Sequence, residues 1–136
     1  LPPRSPTQCP APPFRAIEQH IRSTDRKSIQ SAWKLAYPAS VGSQTLLGLP
    51  AVHRLLTHPD FADRCHLWPF EPMPQRNDPI SIVEIWPGLI EHGHVEHEIR
   101  DARQVVAVRD HLLTGIDLRV TNPAARSEGW ILGVPG

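Results

Sequence analysis

The stretch Asp78-Pro79-Ile80-Ser81-Ile82-Val83-Glu84-Ile85-Trp86-Pro87-Gly88 restricts what this chain can fold into more than any other segment. A short run of Ile, Val and Trp closed by Asp-Pro and Pro-Gly is too brief for a globular helix and rich in strand formers. It predicts a buried strand over 80–86. Alternation along an extended chain puts Glu84 on the face of Ile80, Ile82 and Trp86. A carboxylate there must be paired, metal-bound, protonated or placed at the strand's wet end, because an isolated buried charge is costly. Glu84 is therefore the first candidate functional residue.

At 136 residues the chain reads as one domain, long enough to bury a core. Pro2, Pro3, Pro6, Pro10, Pro12 and Pro13 crowd the first segment, which lacks hydrophobic periodicity. Residues 1–13 are thus expected to form a Pro-rich irregular lead, with the folded part over 14–136. The sequence shows no signal-peptide pattern and no apolar run of bilayer length, so the expectation is a cytoplasmic protein with no membrane partner. Acidic and basic residues balance at 14 each, and the basic ones are dispersed. That argues against non-specific coating of nucleic acid. Cys9 and Cys65 match neither a zinc pattern nor a disulfide framework and read as free thiols.

Along the chain, Pro13 suits a helix's first turn, and Phe14, Ile17 and Ile21 then share a face, with Glu18 and Arg22 as an i,i+4 pair outside. The helix is expected to end between Ser23 and Lys27. Ile29, Trp33, Leu35 and Tyr37 alternate with smaller or polar residues and fit a strand. Residues 38–42 form a turn, and Ser43 is placed to cap a following helix whose apolar set is Leu46, Leu47, Leu49, Val52, Leu55 and Leu56. Pro50 is expected to break that helix in two. Cys65–Phe70 reads as a strand that Pro69 confines to an end or edge. Residues 88–98 read as a loop holding His92, His94 and His97. From Ile99 a helical stripe of Ala102, Val105, Val106, Leu112 and Leu113 runs to a stop at Gly115, with Asp101 in the first turn. Asn122-Pro123 begins a last short element, and Glu128–Gly133 reads as a terminal strand or docked tail. Trp33, Trp68, Trp86 and Trp130 all lie in or beside apolar segments, which favours core packing over base stacking.

Several of these segments coincide in order with a known pattern: Phe14-Arg15 with Glu18, Lys27-Ser28 leading to Trp33-Lys34-Leu35, Val41-Gly42-Ser43-Gln44 with Leu46 and Gly48, Trp68-Pro69-Phe70-Glu71, Val83-Glu84-Ile85-Trp86-Pro87, Asp101-Ala102-Arg103-Gln104-Val105 and Glu128-Gly129-Trp130-Ile131-Leu132-Gly133. On these motifs, residues 14–136 resemble an uncharacterised bacterial family of ribonuclease H-like predicted nucleases. Some of its members carry labels tied to molybdopterin-guanine dinucleotide or cobalamin synthesis. The resemblance implies an α/β, ribonuclease H-like mixed sheet flanked by helices, with carboxylates gathered at strand ends and at the start of the last helix to hold Mg²⁺ or Mn²⁺. Full-length relatives open with a further Asp-bearing strand that this sequence does not match. The domain implied here is incomplete on its N-terminal side and can be inactive as it stands. Within the matched part, Ile17 stands where a Thr usually precedes the Glu, and Gly88 where Ser is common.

Two-metal phosphodiester cleavage needs several carboxylates, since hard divalent cations demand oxygen ligands. Glu84 and Asp101 are the expected catalytic and metal-binding pair, set against a plain strand-end carboxylate and a helix-dipole Asp. Gln104 shares the face of Asp101 and suits positioning of water or substrate. Glu71, at the end of the other candidate strand, either approaches the same site or is solvated there. Val41-Gly42-Ser43-Gln44 offers either a helix cap or, through Ser43 and backbone N–H groups, a contact for phosphate. His92, His94 and His97 form either a loop site for zinc or nickel or a polar surface loop. No GxSxG surrounds a serine, so no nucleophile is assigned. Two functions follow: a divalent-metal phosphodiester hydrolase acting on nucleic acid or another phosphate-containing substrate, or a non-catalytic truncated module that self-associates or lets a partner chain complete its sheet. A role in molybdopterin or cobalamin cofactor synthesis is a further alternative.

Overall fold

The computed structural model of the chain describes residues 12–24, 29–36 and 40–136. The expected Pro-rich lead, Cys9 and Tyr37 fall outside them, apart from Pro12 and Pro13. Among the described residues the fold is mixed α/β, with four α-helices and a two-stranded parallel sheet. In chain order the elements are α1 (Ala16–Thr24), α2 (Val41–Thr57), β1 (Cys65–Leu67), β2 (Ile80–Ile82), a 3-10 turn (Pro87–Leu89), α3 (Arg100–Leu113) and α4 (Ala125–Glu128). Contacts separate two compact units, Leu1–His53 and Arg54–Gly136, with the boundary inside α2. No helix among the described residues is long and apolar enough to cross a membrane.

In the first unit α1 follows its periodicity, and Ile17 and Ile21 are buried. Its start differs from expectation in one respect: Glu18 is buried, not outside, and pairs with Arg15, not Arg22. Arg22 instead lies over the Phe14 ring, 4.4 Å from its centroid. The described part of the stretch expected as a strand, residues 29–36, forms turns. Its backbone finds partners other than a ladder: Ala32 N–H donates to Glu18, Trp33 N–H to Ser31 Oγ and Lys34 N–H to the Ser31 carbonyl. Ile29 is buried, whereas Trp33 and Leu35 are exposed, so Trp33 is not a core residue. Gly42 N–H donates to the Lys34 carbonyl, and a Cβ on Gly42 would collide with the Ala32 and Lys34 carbonyl oxygens. Only glycine permits that approach.

Helix α2 runs unbroken through Pro50. The residue is exposed, as is Leu46, whose carbonyl loses its i+4 donor, and water can solvate that carbonyl on an exposed face. The expected apolar set does not form a core, since Leu46, Leu47, Leu49 and Leu55 are all exposed.

The second unit holds the sheet. β1 and β2 pair in register Cys65↔Ile80, His66↔Ser81 and Leu67↔Ile82. Strand β2 is shorter than the predicted 80–86 and half-buried. Ile80 N–H donates to the Arg64 carbonyl and Trp68 N–H to the Ile82 carbonyl, so Ile80 and Ile82 turn their backbones toward β1. Glu84 has the same parity, and its carbonyl accepts from Leu132 N–H and it forms an isolated parallel bridge with Ile131. In a regular strand equal parity means the same side. Beyond the end of β1 the C-terminal segment takes over as the main-chain partner of Glu84.

Helix α3 ends as predicted. Thr114 is the C-cap, and Gly115 follows at φ +102°, the conformation that favours glycine there. Its buried residues are Ala107 and Val108, not the expected stripe, and Val105 and Leu113 are exposed. The C-terminal segment is a docked tail: Trp130, Ile131 and Leu132 are buried, and Trp130 Nε1–H donates to the Val134 carbonyl at 2.9 Å. Burying a large apolar side chain contributes about 1.5–3 kcal/mol, so Trp130 anchors this end. Trp68 is also buried, its Nε1–H on the Leu118 carbonyl at 2.9 Å.

Candidate functional site

The expected site residues divide between the two units. Glu84 lies just past the C-terminal end of β2, half-buried, held by its main-chain bridge to Ile131. Asp101 is exposed in the first turn of α3, where a carboxylate is favoured by the helix's unpaired N–H groups. Gln104, one turn further, is half-buried. Ser43 belongs to the first unit. Helix α2 begins at Val41, so Ser43 sits inside the first turn and is not its cap. Its hydroxyl donates to the Ser40 carbonyl at 3.0 Å, which leaves Ser40 Oγ–H as the donor in the short hydroxyl pair between them. The hydroxyl is thus engaged locally.

Glu84 and Asp101 suit the oxygen-ligand chemistry of Mg²⁺ or Mn²⁺. Among the described residues, however, no group of three or more His, Cys, Asp or Glu side chains is arranged to hold a metal ion. The two carboxylates do not amount to an all-protein cage. Mg²⁺ seldom uses one, since it keeps several waters and takes one or two carboxylates together with substrate phosphate.

In the histidine loop, Glu91 Oε1 accepts N–H groups of Gly93 at 2.8 Å and His92 at 3.0 Å. These two donors, in that order, hold its carboxyl below the usual carboxylate range. His97 Nδ1 accepts from Ile99 N–H at 3.0 Å. That nitrogen lone pair is committed to the chain entering α3.

Glu71 serves the sheet. The residues that turn away from β2 are Cys65 and Leu67; Cys65 N–H donates to the Phe61 carbonyl, and Leu67 N–H to Glu71 Oε2 at 2.7 Å. Glu71 N–H returns to the Leu67 carbonyl. The outer edge of β1 is closed by local chain, the protection an exposed strand edge needs. At this edge the expected route to self-association, an unpaired strand, is absent.

Two arrangements lay outside the sequence reading. Glu18, 1% exposed, accepts from Arg15 N–H, Arg15 Nε–H and Ala32 N–H at 2.9–3.0 Å. The Glu three residues after the N-cap Arg15 is half of a capping box, a spacing visible in the sequence. His66 and Ser81, directly opposite in the ladder, join through Nε2 and Oγ at 2.7 Å, with His66 3% exposed. Nothing in the spacing of residues 66 and 81 announces that pair. Cys65, beside it, is a buried free thiol.

Comparison with models of protein families, with curated proteins and with solved structures finds no match.

Proposed function

We propose that the second unit is part of a ribonuclease H-like domain in which Glu84 and Asp101 share a divalent cation, Mg²⁺ or Mn²⁺, for phosphodiester hydrolysis. The observation that carries this reading is the position of Glu84 just past the C-terminal end of a parallel strand. Ligands of α/β sheets bind outside the carboxyl ends of their strands. Asp101 adds an exposed carboxylate in the chain's next helix. Bound there, the ion would supply charge stabilisation to a transferring phosphoryl group. The chain's own contribution is to present the two carboxylates and, through the Gln104 amide, to orient water or a phosphate oxygen. The substrate class is nucleic acid or another phosphate-containing compound, with further ligands contributed by substrate or a second chain.

Calorimetric titration with Mg²⁺ and Mn²⁺ tests the reading. Glu84→Gln and Asp101→Asn should each weaken binding at least about tenfold, the loss expected when a charged ligand is removed. Equal affinity in both variants and the parent would sink it.

A second reading, a non-catalytic assembly module, is favoured by the leucines that α2 leaves exposed, Leu47 at 82% among them. Exposed apolar clusters of this kind mark association surfaces. Mass in solution decides it: a concentration-independent monomer, unchanged by Leu47→Glu, excludes the module as a self-associating one.

A further inference from the structure

The parallel ladder sets His66 of β1 opposite Ser81 of β2. His66 Nε2 lies 2.7 Å from Ser81 Oγ, and Nδ1 lies 3.3 Å from the Glu71 carbonyl oxygen. A carbonyl can only accept, so Nδ1 carries the proton in that bond. In the neutral imidazole Nε2 is then the acceptor, and the Ser81 hydroxyl donates to it. This is the relation of a nucleophile to its general base, with the base oriented by a third group. Burial keeps His66 away from bulk water, while Ser81 is only half-buried. Neither residue is used by the proposed metal site.

We infer that Ser81 and His66 form a nucleophile–base dyad that accepts an acyl group from small activated esters. In the first step Ser81 Oγ bonds to the acyl carbon and its proton passes to His66 Nε2. The C–O bond to the alcohol breaks, and the departing oxygen takes that proton. Water, deprotonated by the same nitrogen, then attacks the acyl-serine, releasing the acid and restoring the hydroxyl. The reaction needs no metal, so chelation leaves it intact, which separates its failure from failure of the Glu84–Asp101 site.

The test uses the full chain with p-nitrophenyl acetate and an alkyl fluorophosphonate, and locates the modified residue by mass spectrometry. The expected result is modification at Ser81, abolished in Ser81→Ala and slowed about 100-fold in His66→Gln, the contribution of a positioned base. Because His66→Gln can unfold a buried site, the parent is also compared with itself in urea, where Ser81 should lose its advantage over the other serines. Labelling of Ser81 no faster in the folded chain than in urea would mean that the pair is only a cross-strand tie and would overturn the inference.

Discussion

Two glutamates, one in each unit, show how differently the same side chain is handled. Glu18 lies on what the sequence reads as the outer face of α1, yet it is buried and accepts three N–H groups from Arg15 and Ala32. Glu84 sits in an apolar run that predicts burial, yet it is half-exposed beyond a strand end, with its main chain bridged to Ile131. The carboxylate in the polar context is the structural one. Burial of a charge follows from where donors converge, and in the first unit a cap, a guanidinium and a returning turn converge on a single residue.

The sharpest way to break this contrast is to remove each carboxylate. Glu18→Ala takes away the acceptor shared by α1 and the 29–36 turns and leaves the Arg15 guanidinium, 8% exposed, without that carboxylate. Breaking a buried pair from one side costs about 3–5 kcal/mol, so the urea midpoint should fall steeply. Glu84→Gln keeps the backbone bridge and the shape of the side chain, and should lower the urea midpoint less than Glu18→Ala does. Equal losses for the two would mean that both are structural, and the metal reading of Glu84 would lose its basis.

A backbone test of the first unit comes next in size. The Ala32 and Lys34 carbonyls crowd the position a Cβ would take on Gly42. Overpacking of this kind costs about 1–3 kcal/mol, so Gly42→Ala should lower the urea midpoint and increase amide exchange at Ala32, the donor to Glu18. Exchange at Ala32 unaltered by the substitution would show that Glu18 holds the turn without help from α2.

Much of this division is readable from residues, and the unreadable part has physical causes. Ile17 and Ile21, the stop at Gly115 and the docking of Trp130–Leu132 all follow from periodicity or local φ preference. The alternation of Ile29, Trp33 and Leu35 misleads because Glu18, distant in sequence, and Ser31 take the Ala32, Trp33 and Lys34 N–H groups that a ladder would use. Pro50 misleads because a helix on an exposed face tolerates one missing donor. At the candidate site, Glu84 and Asp101 can be singled out as carboxylates at a strand end and a helix start. The bridge that holds the main chain of Glu84 depends on Ile131 and Leu132 coming back from the C-terminal segment to pair with it. The same holds for His66 and Ser81, which only the strand register brings together.

Glu71 gives a third carboxylate to set between those two, exposed but occupied. Its Oε2 accepts Leu67 N–H at the outer edge of β1. Glu71→Ala should cost about 1 kcal/mol, the net worth of one hydrogen bond, and free a strand edge. Thermal unfolding reads the first effect, and light scattering at rising concentration reads the second. Unchanged stability and unchanged scattering would place the protection of β1 elsewhere.

The smallest effect belongs to an exposed pair that looks strong on paper. The Arg119 side chain donates to the Asp117 carboxylate, as does Arg119 N–H, and together they lower the Asp117 pKa to about 2. The sign follows from the lowered value: the pair favours the folded state above the ordinary carboxylate pKa of about 3.8, and that contribution is lost as pH falls through about 2. Arg119 is 89% exposed, so solvent and salt screen the attraction. Asp117→Asn should therefore leave the urea midpoint at pH 7 nearly unchanged, while NMR titration of the parent finds the Asp117 carboxyl still ionised near pH 3. A large midpoint loss at pH 7 would show that this exposed pair behaves like Arg15–Glu18, and that converging donors stabilise a carboxylate here whether or not it is buried.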